Sequence, residues 1–86
     1  MTSDKGNVKV YPNPFSESTT FVIQSDKLNE TYSFEMTDVL GKTVRSVNGI
    51  TEKQFGISRA GLQNGIYFYK IYSASGLTGM GKVVIK

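Results

Sequence analysis

The carboxylates of this chain stand singly, at Asp4, Glu17, Asp26, Glu30, Glu35, Asp38 and Glu52. Glycoside hydrolysis needs an acid and a second carboxylate facing each other across roughly 5–10 Å. No two here are close in sequence, and a small domain offers little cleft in which distant ones could meet. Other carriers of chemistry are missing by type. Without histidine there is no imidazole base and no supply of the commonest transition-metal ligand. Without cysteine there is no thiolate nucleophile, no disulfide and no Cys-type zinc site. Calcium needs about six to eight oxygen ligands, and no Asp-x-Asp-x-Asp-Gly run supplies them. Gly76, Gly79 and Gly81 lack the Gly-Lys-Ser/Thr pattern and strand-to-helix setting of a phosphate loop, and are expected to form a mobile loop. Asn29-Glu30-Thr31 has the form of a glycosylation sequon, a triplet too common by chance to carry a role. The expectation is a protein that is not an enzyme and holds neither cofactor nor metal.

What remains is recognition, and size and charge narrow its kind. Eighty-six residues make one small domain, which buries only roughly 60% of the surface its unfolded chain exposes. The 38% of hydrophobic residues must therefore be placed mostly in the core. Ten Lys+Arg against seven Asp+Glu give a net charge of +3 with no run of like charge. That is a solvated surface and not the clustered basic footprint of a nucleic-acid binder. No stretch approaches the roughly 18 apolar residues of a membrane-spanning helix. Met1-Thr2-Ser3-Asp4-Lys5-Gly6 lacks the apolar stretch of a signal peptide, so the domain is not expected to export itself by its own N-terminus. Residues 1–6 read as linker or tag and 7–86 as the domain.

The elements that must position any recognition surface are strands. Tyr32, Phe34 and Met36 alternate with Thr31, Ser33, Glu35 and Thr37, a half-buried strand. The same period gives strands around Val8 and Val10, over 19–24, 43–47, 53–58 and 62–71, and over 81–86. Pro12-Asn13-Pro14 forbids a central strand across its position and sets a rigid turn. Asp26, Lys27 and Asn29 form a polar loop. Asp38-Val39-Leu40-Gly41-Lys42 reads as a hairpin connection, with Gly41 at positive φ and Asp38 bonding backbone N–H groups ahead of it. Asn48-Gly49 is the strongest turn signal and predicts a type I′ hairpin into the next strand. About seven short strands with turns between them predict an all-β, immunoglobulin-like antiparallel sandwich.

Leu62, Gly65 and Tyr67 have the spacing of a tyrosine corner, in which a Tyr hydroxyl bonds backbone near the start of the sixth strand. Tyr67, Tyr69 and Ile71 then point inward, and Ile66, Phe68, Lys70 and Tyr72 form an unusually apolar outer face. In the last strand Val83 and Ile85 face the core while Lys82, Val84 and Lys86 face out. An edge strand ending in lysines resists casual pairing and has the form of a strand that adds to a receptor's sheet.

Val10-Tyr11-Pro12-Asn13-Pro14-Phe15, Asp38-Val39-Leu40-Gly41-Lys42, Leu62-Gln63-Asn64-Gly65-Ile66-Tyr67-Phe68 and Lys82-Val83-Val84-Ile85-Lys86 occur in that order and spacing across residues 7–86. Together they resemble the type A C-terminal sorting domain of the type IX secretion system. The resemblance implies a Bacteroidetes protein whose cargo precedes this domain and reaches the periplasm by a signal peptide. It implies that the domain directs the cargo through the outer-membrane translocon. A sortase-like cysteine peptidase then removes it, leaving the cargo in the medium or on the cell surface. It also implies that export information lies in Gly65, Ile66, Tyr67, Lys82, Val83, Val84, Ile85 and Lys86. Pro12, Asn13, Pro14, Asp38, Gly41, Lys42 and Leu62 belong to the motifs as structural positions. Thr37-Asp38 and Met80-Gly81 depart from the pattern, standing where a more apolar or basic residue is common. The alternative reading is an immunoglobulin-like or fibronectin-like accessory module that binds carbohydrate or protein on a secreted enzyme.

Overall fold

A computed structural model describes residues 8–24 and 29–86. The reading of residues 1–6 as linker, the domain start at Asn7 and the placing of Asp26 and Lys27 in a polar loop lie outside the described residues. The described residues form seven strands: β1 (Val8–Tyr11), β2 (Ser18–Ile23), β3 (Tyr32–Thr37), β4 (Thr43–Ile50), β5 (Gln54–Ser58), β6 (Gly65–Ser73) and β7 (Gly76–Ile85). One sheet has the order β1-β2-β5 and the other β4-β3-β6-β7, all pairs antiparallel. The expected all-β sandwich is the fold.

Period-two patterning decides which side chains lie between the sheets. Phe21 and Ile23 of β2, Tyr32, Phe34 and Met36 of β3, Tyr67, Tyr69 and Ile71 of β6 and Val83 and Ile85 of β7 are all buried. Phe21 is the hub. Its ring meets Phe34 edge-on at 4.8 Å, Tyr69 edge-on at 4.9 Å and Phe55 in a stack at 5.5 Å. These contacts join β2 and β5 of one sheet to β3 and β6 of the other, and such aromatic pairs stabilise by about 0.5–1.5 kcal/mol beyond their buried area.

Two turn expectations are corrected. Asn48-Gly49 is not a hairpin turn but lies inside β4. Tyr32 pairs with Ile50 and Phe34 with Val47, so β4 carries one extra residue there, and Gly49 takes φ 69° in the resulting bulge. The left-handed backbone tolerance that marks a type I′ turn serves a bulge equally well. A hairpin at this point would have paired β4 with β5, which instead lie in different sheets.

The expected mobile loop around Gly76, Gly79 and Gly81 is also corrected. The chain reverses over Ala74 and Ser75, with Ser73 paired to Gly76, and all three glycines lie in β7. Gly79 is buried because β1 crosses directly over it: a Cβ on Gly79 would stand 2.3 Å from Val8 Cγ2. The glycine marks a close approach of side chain to backbone and not flexibility.

Candidate functional site

Four segments far apart in sequence converge at one pole of the sandwich. Register places it: Gly65, at the start of β6, faces Ile85, at the end of β7, and Thr37, at the end of β3, faces Phe68. The turn after β3 therefore projects at the same end as the last residues of the chain. The two polar connections joined to it are the corner before β6 and the segment after β1.

The turn after β3 is held by its first residue. Asp38 Oδ1 accepts from the backbone N–H of Leu40 at 2.9 Å and of Lys42 at 3.0 Å. The backbone N–H of Asp38 donates to Lys42 O, and that of Gly41 to Asp38 O, each at 3.0 Å. Gly41 takes φ 88°, as expected of its position. Val39 and Leu40 are thereby fixed at the tip, 65% and 90% exposed. Beside them lies a shallow hollow of about 230 Å³, lined also by Gln63, Asn64, Gly65, Ile66 and Tyr67.

The corner before β6 has the geometry that its spacing predicts. Tyr67 Oη donates to Gln63 O at 2.6 Å, with the ring buried. Arg59 ties this corner to the rest of the pole. Its Nη2 donates to Leu62 O at 3.0 Å and Asn64 Oδ1 at 2.7 Å, and its Nη1 to Ser16 O at 3.0 Å and Lys86 O at 3.4 Å. The planar fork of a guanidinium can serve several acceptors at once from one position. Nothing in the sequence singles Arg59 out, because its partners, three backbone carbonyls and the Asn64 side chain, are brought together only by the fold.

The segment after β1 covers β7. Phe15 N–H donates to Val84 O, and Lys86 N–H donates to Phe15 O, both at 2.9 Å, forming a parallel bridge beside Ile85. The Asn13 side chain extends this contact, its Nδ2 donating to Lys82 O and its Oδ1 accepting from Val84 N–H, both at 3.0 Å. Phe15 is buried, and the buried Thr19 hydroxyl donates to Pro12 O at 2.7 Å. Thus β7 does end its sheet's ladder, but the outward backbone groups of its last residues are already bonded. The expected free edge for strand addition is closed at 82–86. Pro12, Asn13 and Pro14 do more than turn the chain, since they hold Asn13 in strand-like contact with β7.

The residues expected to carry export information divide by exposure. Tyr67, Val83 and Ile85 are buried and shape the pole from within. Ile66, Lys82 and Lys86 are exposed, and Gly65 and Val84 are half-buried. Val39 and Leu40, inside a motif but not singled out among its positions, are the most exposed large apolar residues described. Among the described residues no group of three or more acidic side chains is placed to hold a metal ion.

Residues 9–86 match the family described as secretion system C-terminal sorting domain. No curated protein matches the chain. Among solved structures, it is similar to a DUF3244 family protein with an immunoglobulin-like β-sandwich fold from Bacteroides vulgatus. The TM-score is 0.75 at 15% identity, over 99% of this chain and 96% of that one, a likeness of fold alone.

Proposed function

The chain belongs to the family of type IX secretion-system C-terminal sorting domains, and from that membership we propose that the pole where its four motifs meet is the face read by the outer-membrane translocon. A sorting domain is the tail of a cargo protein handled by the type IX system, bound for the cell surface or the medium. On this reading residues 7–86 are a non-catalytic address label and 1–6 the linker from the cargo. Gly65, Ile66, Lys82, Val84 and Lys86 make contact, while Tyr67, Val83 and Ile85 hold them in place. A sortase-like peptidase then cuts upstream of the sandwich.

The observation that carries the reading is convergence. Asn13 bonds Lys82 and Val84 across the sequence, Arg59 bonds Leu62, Asn64 and Lys86, and the turn tip borders the corner before β6. Segments that carry a family's motifs and serve only local folding have no need to assemble on one surface.

The test fuses the 86-residue chain behind a fluorescent reporter carrying its own signal peptide in a Bacteroidetes host. Translocon-dependent export of the wild type is expected, together with loss of export for Lys82→Ala with Lys86→Ala at an unchanged melting temperature. Periplasmic retention of the wild type in strains with and without the translocon would overturn the reading in favour of an accessory binding module.

A further inference from the structure

Val39 and Leu40 stand where turns ordinarily place polar residues. Aliphatic side chains left 65% and 90% exposed gain nothing from the hydrophobic effect until something else covers them. Nor is this a loose loop, since the Asp38 carboxylate and two backbone bonds fix the tip. The apolar surface continues past the adjoining hollow through Ile66 to Phe68, each 44% exposed. Lys82 stands opposite Phe68 in the register, Lys70 follows Phe68 by two residues in β6, Lys42 belongs to the turn and Lys86 follows the end of β7, all four exposed. Of the carboxylates, Glu35 stands opposite Lys70 and accepts from the Thr43 hydroxyl at 2.9 Å, and Asp38 accepts from the turn amides, so four lysines stand against two carboxylates and the excess is positive.

We propose that Val39 and Leu40 are the anchor of a protein-docking surface whose partner offers an apolar socket edged by carboxylates. The inference rests on the translocon reading above and adds to it both the anchor and the character of the partner. A knob beside a hollow is complementary to a shaped surface, and a rigid apolar anchor seated in a pocket is the usual centre of a protein interface. The positive excess sets the sign of the partner's rim and steers its approach. A lipid surface fits less well: two aliphatic side chains are a small apolar insertion, and a fluid bilayer has no feature to fill the hollow.

The experiment uses the reporter fusion in the translocon-competent host, comparing wild type, Val39→Thr with Leu40→Ser, and Val47→Ser. Val47 is an exposed apolar residue of β4 away from the pole. A photo-crosslinking amino acid at position 63, beside the hollow, reports the partner, and vesicles of phosphatidylglycerol and phosphatidylethanolamine test for lipid binding. The tip variant should lose at least about tenfold in export, as expected on removing an interface anchor, with an unchanged melting temperature. The Val47→Ser control should export normally. The crosslink should join a translocon protein and vanish in the tip variant. If the tip variant melts lower, Leu40→Gln is scored in its place. Export of a stable tip variant at the wild-type level overturns the inference and leaves the translocon reading standing. Tip-dependent sedimentation with vesicles also overturns it, assigning the tip to lipid. Retention of the wild type itself overturns the translocon reading, and this inference with it.

Discussion

Asn13 and Val84 are joined across most of the chain by one end of a side-chain amide whose other end bonds Lys82. The Oδ1 accepts from Val84 N–H while the Nδ2 donates to the neighbouring Lys82 O, each at 3.0 Å. An amide side chain offers a donor and an acceptor along one edge, as the N–H and C=O of a single strand residue do, so Asn13 completes the ladder that a further strand would otherwise supply.

Asn13→Ala should therefore unmask the end of β7. We expect a loss of about 0.5–1.5 kcal/mol from the lost hydrogen bonds, and concentration-dependent self-association through the exposed edge. Denaturant melts and sedimentation velocity measure the two effects separately. Asn13→Asp keeps the acceptor for Val84 and loses the donor to Lys82, and should fall between the wild type and alanine. A monomeric Asn13→Ala variant of wild-type stability would show that the contact does not guard the edge.

Gly79→Ala should destabilise the sandwich, because its new methyl group would overlap Val8 Cγ2. Overpacking of this kind costs about 1–3 kcal/mol. Val8→Ala in the same chain removes the obstructing methyl and should restore part of that loss. A double-mutant cycle by chemical denaturation, showing a coupling energy of the rescuing sign, is the check. Simple additivity would place the strain elsewhere.

Arg59→Ala should cost about 2 kcal/mol, since it strands carbonyls that now accept from a charged donor at a half-exposed position. Arg59→Lys should recover less than half of this, because one ammonium cannot reach acceptors on both sides of the fork. Hydrogen exchange locates the effect: the amides of Leu62 and Lys86 should lose protection before those of the core strands.

Much of the fold is legible in the sequence because alternation is a local signal. Tyr32, Phe34 and Met36, or Val83 and Ile85, declare their inward faces within a few residues, and Tyr67 declares its corner by its distance from Leu62 and Gly65. The misreadings share one cause. Asn48-Gly49 specifies a backbone conformation that both a hairpin turn and a bulge use, and only the separation of β4 and β5 into different sheets decides between them. Gly79 looks like flexibility until Val8 is seen packed against it. The covering of β7 by Asn13 and Phe15, and the fork of Arg59, depend on partners tens of residues away. The turn tip was in view as a motif, but exposure of Leu40 is a property of the assembled surface that no spacing reveals.

The parallel bridge between Phe15 and Ile85 also fixes how the domain answers to force. Val8 and Lys86 lie toward opposite ends of two neighbouring segments that run in the same direction. A pull applied through Val8, resisted by a grip on the pole, would slide these segments past each other instead of peeling them apart. The bonds from Asn13 and Phe15 to residues 82–86 would then share the load side by side. The segment that guards an edge at rest would become a shear clamp under tension, and its rate of rupture, not the equilibrium stability, would set how long the label stays folded while its cargo is drawn across the membrane.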